Sequence, residues 1–297
     1  MRNDIRIATR QSPLALWQAE AVKAQLLHHS PELRVTLVPL VTHGDIILDR
    51  SLSKVGGKGL FVKELEHALF EGNADIAVHS MKDVPMHLPD GLAIAAILSR
   101  GSVEDVFVSQ HYTSLKDMPA GARVGTSSAR RKLLLQKNYP HIECVDVRGN
   151  VATRLDKCFS GHVDGLILAA AGLERLNLSN HIQEYLHPDD WLPAPGQGAI
   201  GVELRSDDTE LKNLIGRLNH QESWETVTAE RAISRALNGG CGVPLAAYAV
   251  IEDNRLWLRA WWENPTTGQY LFSQAKGSRD FPDIFGEKVA ENLRSGR

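Results

Sequence analysis

Strand-like and helix-like segments alternate along most of the chain, and this order constrains the fold more than any other feature of the sequence. Short apolar runs typical of buried strands are followed by longer amphipathic segments bounded by Ser, Pro or Gly. The first pair is the strand Asp4–Thr9 and a helix with Ser12 as its N-cap and Pro13 as its first residue. The alternation predicts an α/β fold with a mostly parallel sheet covered by helices.

The alternating segments form two sets, bounded by loop-like crossings at Ser99–Ser102 and Leu192–Ala199. In the first set, the other predicted elements are the strand Leu33–Val41, the helix Lys58–Glu71, and the strands Ala74–Ser80 and Leu92–Leu98. In the second set, they are the strands Asp105–Ser109, Arg123–Thr126, His141–Val147 and Gly165–Ala169, with helices at Ser128–Tyr139 and Asn150–Phe159.

The C-terminal region follows a different order. A helix is predicted at Gln221–Leu237, and a Gly-rich loop follows it. Next come three strand-like runs and a last helix, at Leu245–Ile251, Arg255–Trp262, Tyr270–Lys276 and near Ile284–Leu293. Because strands in succession favour antiparallel pairing, we predict a small α+β domain with an antiparallel three-stranded sheet.

Composition excludes several classes of protein. The formal net charge is −3 and 6% of the residues are aromatic, which argues against a nucleic-acid binder. The three cysteines are too few and too scattered for a disulfide framework, and without a C-x-x-C pair no metal site is expected. With no apolar run of 18 residues and no signal-peptide pattern, we expect a cytoplasmic protein without membrane contact.

Three predicted strand-to-helix junctions combine arginines with small polar residues or glycine. They contain Arg10 and Ser12; Thr126, Ser128, Arg130 and Arg131; and Arg148, Gly149 and Arg154. Helix N-termini attract anions, and guanidinium groups match carboxylates and phosphates. Residues 121–154 hold seven Lys or Arg against two acids. The junctions therefore indicate a ligand with several carboxylates or phosphates, although each one alone could be a capped helix with solvated arginines.

Two further segments contain candidate ligand-binding residues. His79–Pro85 follows an apolar strand and presents Ser80, Lys82 and Asp83 at its carboxyl end, where ligands gather in open α/β sheets. The alternative is a polar turn closed by proline. Lys58 lies in a Gly-rich stretch that lacks the P-loop spacing, so we interpret it either as a loop that closes over an anion or as a flexible connector.

Cys241 stands among three glycines in the stretch N-G-G-C-G-V-P-L. It follows the C-terminal end of a predicted helix, where the helix dipole disfavours a thiolate, so an activated Cys–His nucleophile is not favoured. A thiol that reacts once with a strong electrophile needs no such activation. A covalent attachment point and a small residue in a turn both remain open.

The sequence resembles the porphobilinogen deaminase family over about 240 residues. The motifs that carry the resemblance occur in family order: I-A-T-R-Q-S-P-L-A-L-W-Q, G-G-K-G-L-F-V-K-E-L-E, A-V-H-S-M-K-D-V-P, V-G-T-S-S-A-R-R, V-R-G-N-V-A-T-R-L, L-P-A-P-G-Q-G-A-I and G-G-C-G-V-P. The resemblance implies a transferase of tetrapyrrole (haem) biosynthesis that joins four porphobilinogen units head to tail, with loss of ammonia. It also implies a dipyrromethane cofactor, bound through a thioether to Cys241, that primes the growing chain.

The same resemblance implies two periplasmic-receptor-like α/β domains and a small C-terminal α+β domain. Their expected bounds are 1–98 with 199–216, 104–192, and 221–297, in a monomeric protein. Asp83 is expected to be catalytic, by stabilising positive charge on a deaminated pyrrole and by moving a proton. Residues expected to bind cofactor and substrate carboxylates are Arg10, Ser12, Lys58, Ser80, Lys82, Thr126, Ser128, Arg130, Arg131, Arg148, Gly149 and Arg154.

Two alternative functions were weighed against this one. A two-lobed binding protein for an anionic solute explains the arginines but leaves Asp83 and Cys241 without a role. A nucleic-acid binder that uses residues 121–154 fits the positive charge of that segment but not the negative net charge of the whole chain.

Overall fold

The computed structural model describes residues 3–43, 62–239 and 242–296. Five strands form the first sheet: β1 (Asp4–Arg10), β2 (Arg34–Leu40), β3 (Ile76–Ser80), β4 (Leu92–Ile97) and β10 (Ile200–Arg205). Their order across the sheet is β2-β1-β3-β10-β4. Strand β1 runs parallel to both β2 and β3, whereas β10 runs antiparallel to both β3 and β4. Four of the five strands therefore run in the same direction, as the prediction of a mostly parallel sheet requires, and the returning strand β10 is the antiparallel exception that inserts between two strands of the first set.

Helix α1 (Pro13–His29) begins where the sequence predicts. The Ser12 hydroxyl accepts a hydrogen bond from the backbone N–H of Ala15 over 3.4 Å, and Pro13 occupies the first turn. The buried residues of the helix recur every three or four positions, and Ala19, Val22 and Leu26 pack on β1 and β3. Helix α2 (Lys63–Phe70) covers the sheet with Leu65, Ala68 and Leu69, and the expected start of this helix at Lys58 lies outside the described residues.

The second sheet repeats this arrangement. Its strands are β5 (Asp105–Val108), β6 (Arg123–Gly125), β7 (Glu143–Val145), β8 (Gly165–Ala169) and β9 (Glu184–Leu186). Their order across the sheet is β7-β6-β8-β5-β9. Strand β6 runs parallel to β7 and β8, and β5 runs antiparallel to β8 and β9. The helices that follow these strands are α3 (Ala129–Asn138), α4 (Val151–Phe159) and α5 (Ala170–Arg175).

The C-terminal sheet is antiparallel and three-stranded, as predicted. It consists of β11 (Leu245–Glu252), β12 (Arg255–Glu263) and β13 (Tyr270–Gly277). Helices α6 (Thr209–Gly216), α7 (Gln221–Ala236) and α8 (Pro282–Ser295) complete the chain. Neighbouring tryptophans of β12 point to opposite faces: Trp262 packs in the core shared with α7 and α8, and Trp261 packs beside Trp191 and Leu192. Both faces of this small sheet are therefore covered.

The contacts divide the chain into two compact units. One comprises Met1–Gly101 with Ala199–Val227, and the other comprises Ser102–Gly198 with Thr228–Arg297. The α/β class and the C-terminal antiparallel sheet agree with the sequence prediction. Within the described residues, every helix is too short or too polar to cross a lipid bilayer.

Candidate functional site

A pocket opens in the first unit where β1 and β3 end. It is lined by Arg10, Ala15, Gln18, Val62, Val78, His79, Ser80 and Asp83. Arg10 is the last residue of β1 and Ser80 the last of β3, so the site lies at the carboxyl ends of two adjacent parallel strands. The fold thus brings a guanidinium, a hydroxyl and a carboxylate, all predicted from the sequence, to one pocket.

Asp83 is held by a single turn of 3₁₀ helix, Met81–Asp83. The Met81 N–H donates to the Ala199 carbonyl over 3.0 Å, which fixes the start of the turn to the residue before β10. The buried Met81 side chain lies against Gly201, where an added Cβ would come within 2.1 Å of its sulfur. Lys82 belongs to the same turn and is half-buried. The position of Asp83 is therefore set by buried contacts of its neighbours.

Gln18 is a pocket residue that the sequence predictions omitted. Its side chain is buried, and its Nε2 donates to the Ser80 hydroxyl over 2.8 Å. A signal for it exists in the sequence, because Gln18 interrupts the buried stripe of α1 beside Ala15 and Ala19. The bond fixes the orientation of Ser80 from the helix side. Ser12, by contrast, acts as the N-cap of α1.

In the second unit, Arg130 and Arg131 converge on Asp105. Arg130 Nη2 donates to Asp105 Oδ2 over 2.7 Å, and Arg131 Nη2 donates to Oδ1 over 2.6 Å. Trp191 Nε1 and Gln197 Nε2 donate to the same carboxylate over 2.8 and 2.9 Å. All three charged side chains are less than a tenth exposed. Arg130 Nη1 and Arg131 Nη1 also donate to the backbone carbonyls of Leu192 and Ile167, each over 2.8 Å, so all four Nη atoms have protein partners. The expectation that both arginines hold a ligand carboxylate stays a prediction.

This buried cluster has one positive charge in excess. Burial opposes ionisation of Asp105, but the two guanidinium groups outweigh it and hold the pKa of this carboxyl far below its usual range. Burial lowers the pKa of Arg130, and Asp105 counteracts that shift. Arg130 Nε and Arg131 Nε are buried donors without a hydrogen-bond partner among the described residues. The excess positive charge favours an anion nearby, whereas the two Nε–H groups are closed off from a ligand by the surrounding protein.

The junction before α3 directs hydroxyl groups toward the start of that helix. Ser128 is the N-cap and accepts a hydrogen bond from the Arg131 N–H over 3.5 Å. Thr126 is buried, and its hydroxyl accepts from the Ser128 N–H over 3.2 Å. The adjacent Ser127 hydroxyl donates to the Val147 carbonyl over 3.0 Å, which joins this junction to the one before α4.

That second junction contains Arg148, Gly149 and Arg154. Gly149 has φ +117°, and a Cβ there would lie 2.7 Å from Thr153, so only glycine fits. Arg154 Nε donates to the Gly149 carbonyl over 2.9 Å, which folds its guanidinium back over the start of α4. Arg148 is half-buried. The two junctions follow the paired parallel strands β6 and β7, and that their side chains bind one ligand stays a prediction.

Two predicted site residues, Lys58 and Cys241, lie outside the described residues. The residues nearest to Cys241 that are described are Gly239 and Gly242. Within the described ranges no cluster of three or more His, Cys, Asp or Glu side chains is arranged to hold a metal ion.

Comparison with known families gives two matches that together span almost the whole chain. The model described as porphobilinogen deaminase, dipyromethane cofactor binding domain, matches residues 5–213. The model described as porphobilinogen deaminase, C-terminal domain, matches residues 224–295.

Several solved structures are partly similar to the chain. A periplasmic substrate-binding protein of an ABC transporter from Coxiella burnetii is 16% identical, with a TM-score of 0.46 and coverage of 72% of this chain and 91% of that one. A putative methionine-binding lipoprotein from Bacillus subtilis is 15% identical, with a TM-score of 0.46 and coverage of 74% and 92%. The BvgS VFT2 domain from Bordetella pertussis is 16% identical, with a TM-score of 0.45 and coverage of 73% and 86%.

Proposed function

Because the chain belongs to the porphobilinogen deaminase family, we propose that it joins four porphobilinogen units head to tail into the linear tetrapyrrole hydroxymethylbilane. Family membership makes it a transferase of porphyrin biosynthesis with hydroxymethylbilane synthase activity. The number of units joined, the roles of individual residues and the covalent priming are parts of the proposal. So are a cytoplasmic location and a monomeric state.

The cofactor in the proposal is a dipyrromethane attached by a thioether to Cys241, and it supplies the carbon to which the first substrate unit is joined. Two pyrrole rings of this kind carry four carboxylates. The excess positive charge of Arg130 and Arg131 beside Asp105 favours such a ligand. Further residues able to hold its carboxylates are Thr126, Ser128, Arg148, Arg154 and the backbone at Gly149.

In this proposal the pocket of the first unit holds the reacting pyrrole. Loss of ammonia from porphobilinogen leaves an azafulvene whose positive charge extends to the ring nitrogen. The Asp83 carboxylate accepts a hydrogen bond from that N–H and stabilises the charge where it develops. In the preceding step the protonated Asp83 acid passes its proton to the leaving amine, which departs as ammonia and leaves Asp83 as the carboxylate. Arg10 and Ser80 bind substrate carboxylates, and Gln18 keeps the Ser80 hydroxyl oriented. Lys58 and Lys82 add point charges for the same carboxylates.

The observation that best supports the assignment is the meeting of Arg10, Ser80 and Asp83 in one pocket. A receptor for an anion needs the guanidinium and the hydroxyl. It gains nothing from a carboxylate, which repels an anionic ligand. A substrate that is anionic at its edges and becomes cationic at its centre requires both kinds of group.

The test is incubation of the purified chain with porphobilinogen, followed by measurement of released ammonia and of the linear product. We expect ammonia equal to the porphobilinogen consumed, and product that contains four pyrroles. Intact mass should exceed the sequence mass by two linked pyrrole units, and the excess should disappear in Cys241→Ser and persist in the control Cys158→Ser. Tight binding of porphobilinogen without ammonia release would instead support a binding protein.

A further inference from the structure

A buried histidine–glutamate pair lies on the far side of the strand that leads to Asp83. His79 Nε2 and Glu203 Oε2 are 2.9 Å apart, and their side chains are 3% and 1% exposed. His79 is the penultimate residue of β3, and Glu203 lies on β10, the antiparallel neighbour of β3. The pair therefore joins β3 to β10 by side chains, in addition to the backbone ladder.

Glu66 is the third member of this cluster. It lies on α2, which packs on the same face of the sheet, and its side chain is buried. Burial raises its pKa, and the nearby Glu203 carboxylate raises it further, whereas His79 and Lys63 act in the opposite direction. Glu66 Oε1 and Glu203 Oε1 both lack a hydrogen-bond partner within the described part of the chain.

The segment that contains Ser80 and Asp83 is held from both faces of the sheet. Side chains alternate along β3, so Val78 and Ser80 face α1, whereas Ala77 and His79 face α2. Gln18 binds Ser80 on the first face, and Glu203 binds His79 on the second. A position fixed by hydrogen bonds on two sides tolerates little displacement.

Packing alone does not explain a polar pair at this place. An imidazole and a carboxylate buried in a sheet lose their hydration, and apolar residues of similar size are usually as stable or more so. The pair must therefore provide something that apolar packing does not. A directional bond resists sliding of one strand on another, and small displacements of reacting groups reduce catalysis by large factors.

We propose that His79 and Glu203 are positioning residues that hold the Ser80–Asp83 segment in its reactive geometry. The inference rests on the proposed function, in which Asp83 stabilises the cationic pyrrole. His79 acts through Ser80 and Asp83, because its ring is engaged by Glu203 on the opposite face of the strand.

The main experiment is the double variant His79→Leu with Glu203→Leu. Removal of both partners leaves no unpaired charge, so we expect the melting temperature to stay close to that of the wild type. We expect kcat for porphobilinogen to fall about tenfold or more, with KM within about threefold. Hydrogen–deuterium exchange at residues 80–84 should rise about tenfold or more, since the Met81 N–H bond to Ala199 opens more often. Wild-type kcat or wild-type exchange in the folded variant overturns the proposal.

A single variant covers the case in which the double variant does not fold. His79→Gln keeps a donor for Glu203 and should retain at least about a third of the wild-type kcat, whereas His79→Ala should lose about tenfold or more. Equal kcat values for these two variants also overturn the proposal. The matched control is Asp75→Asn, which weakens the ion pair to Arg6 just before the other end of β3 and should leave kcat unchanged. If the wild type itself releases no ammonia, the proposed function fails, and the exchange measurement still tests the positioning role.

Discussion

Arg131 Nη2 lies 2.6 Å from Asp105 Oδ1 in a part of the second sheet that is closed to solvent. This contact explains how a helix start with adjacent arginines is kept in place before any ligand binds. The carboxylate neutralises one of two positive charges, and the backbone carbonyl of Ile167 accepts a second bond from Arg131 over 2.8 Å. The arginines are thus preorganised, and a bound anion does not have to order them.

Asp105→Asn should destabilise the chain by about 3–5 kcal/mol, because the change leaves two guanidinium groups buried without a counter-charge. Urea unfolding monitored by circular dichroism measures the loss. Asp146→Asn, at an exposed pair with Lys132, is the control and should cost about 1 kcal/mol or less. Similar losses of unfolding free energy in the two variants would show that the buried cluster stabilises the fold no more than an exposed ion pair does.

The same contact predicts how stability depends on acid. The pKa of Asp105 is depressed in the folded protein, so its contribution is present above the ordinary aspartate pKa of about 4 and is lost as the pH falls below it. The melting temperature should therefore drop below about pH 4 more steeply in the wild type than in Asp105→Asn. Parallel curves for the two proteins between pH 2 and 5 would contradict this prediction.

Glu66→Gln should stabilise the chain at neutral pH by roughly 1 kcal/mol. The pKa of Glu66 is raised, first by burial and then by Glu203, so the folded state favours the protonated acid and loses stability as the pH rises. Glutamine imitates that neutral acid at every pH. The gain in the free energy of unfolding should be close to zero near pH 4 and largest near pH 8. Thermal unfolding at each pH measures it. A gain that is independent of pH, or one also seen in the exposed control Glu71→Gln, would argue against this cause.

Gly201→Ala should both destabilise the chain, by about 1–3 kcal/mol, and reduce turnover. The new methyl group would occupy the position of the Met81 sulfur, and Met81 begins the turn that ends at Asp83. Calorimetry and the ammonia assay measure the two effects. Gly216→Ala is the control, since a Cβ there meets no atom within 4 Å. Unchanged turnover in Gly201→Ala would show that the turn tolerates a shift of Met81.

Asp83→Asn should lower kcat about 100-fold or more with little effect on stability, because the amide keeps the shape of the carboxylate but not its charge. Steady-state ammonia release and a melting curve on the same sample separate catalysis from folding. Asp90→Asn changes an exposed carboxylate of the same unit and should leave both quantities unaltered. Turnover by Asp83→Asn at the wild-type rate would remove Asp83 from the mechanism.

Much of this architecture follows from local sequence signals. The start of α1 and the bounds of β3 and the three C-terminal strands agree with the patterns that predict them within one or two residues, because caps and alternating burial are local properties. The antiparallel strand β10 was missed, since its partners lie more than 100 residues earlier in the chain. Pairings beyond local sequence range also hide Asp105, which lies 25 and 26 residues before Arg130 and Arg131, and Glu203, which lies 124 residues after His79. Buried charged residues within apolar strands are the signal that could have indicated both.

Strand β10 also affects the order in which the chain can fold during synthesis. The other four strands of its sheet are complete by residue 97, but the position between β3 and β4 is filled only when residues 200–205 have been made. Before those residues exist, β3 and β4 lack the strand that pairs with both, and His79 lacks Glu203. The intervening residues include the whole second sheet, so the ribosome delivers that sheet before it delivers the strand that completes the first. The first sheet can therefore be completed only after the second has been synthesised.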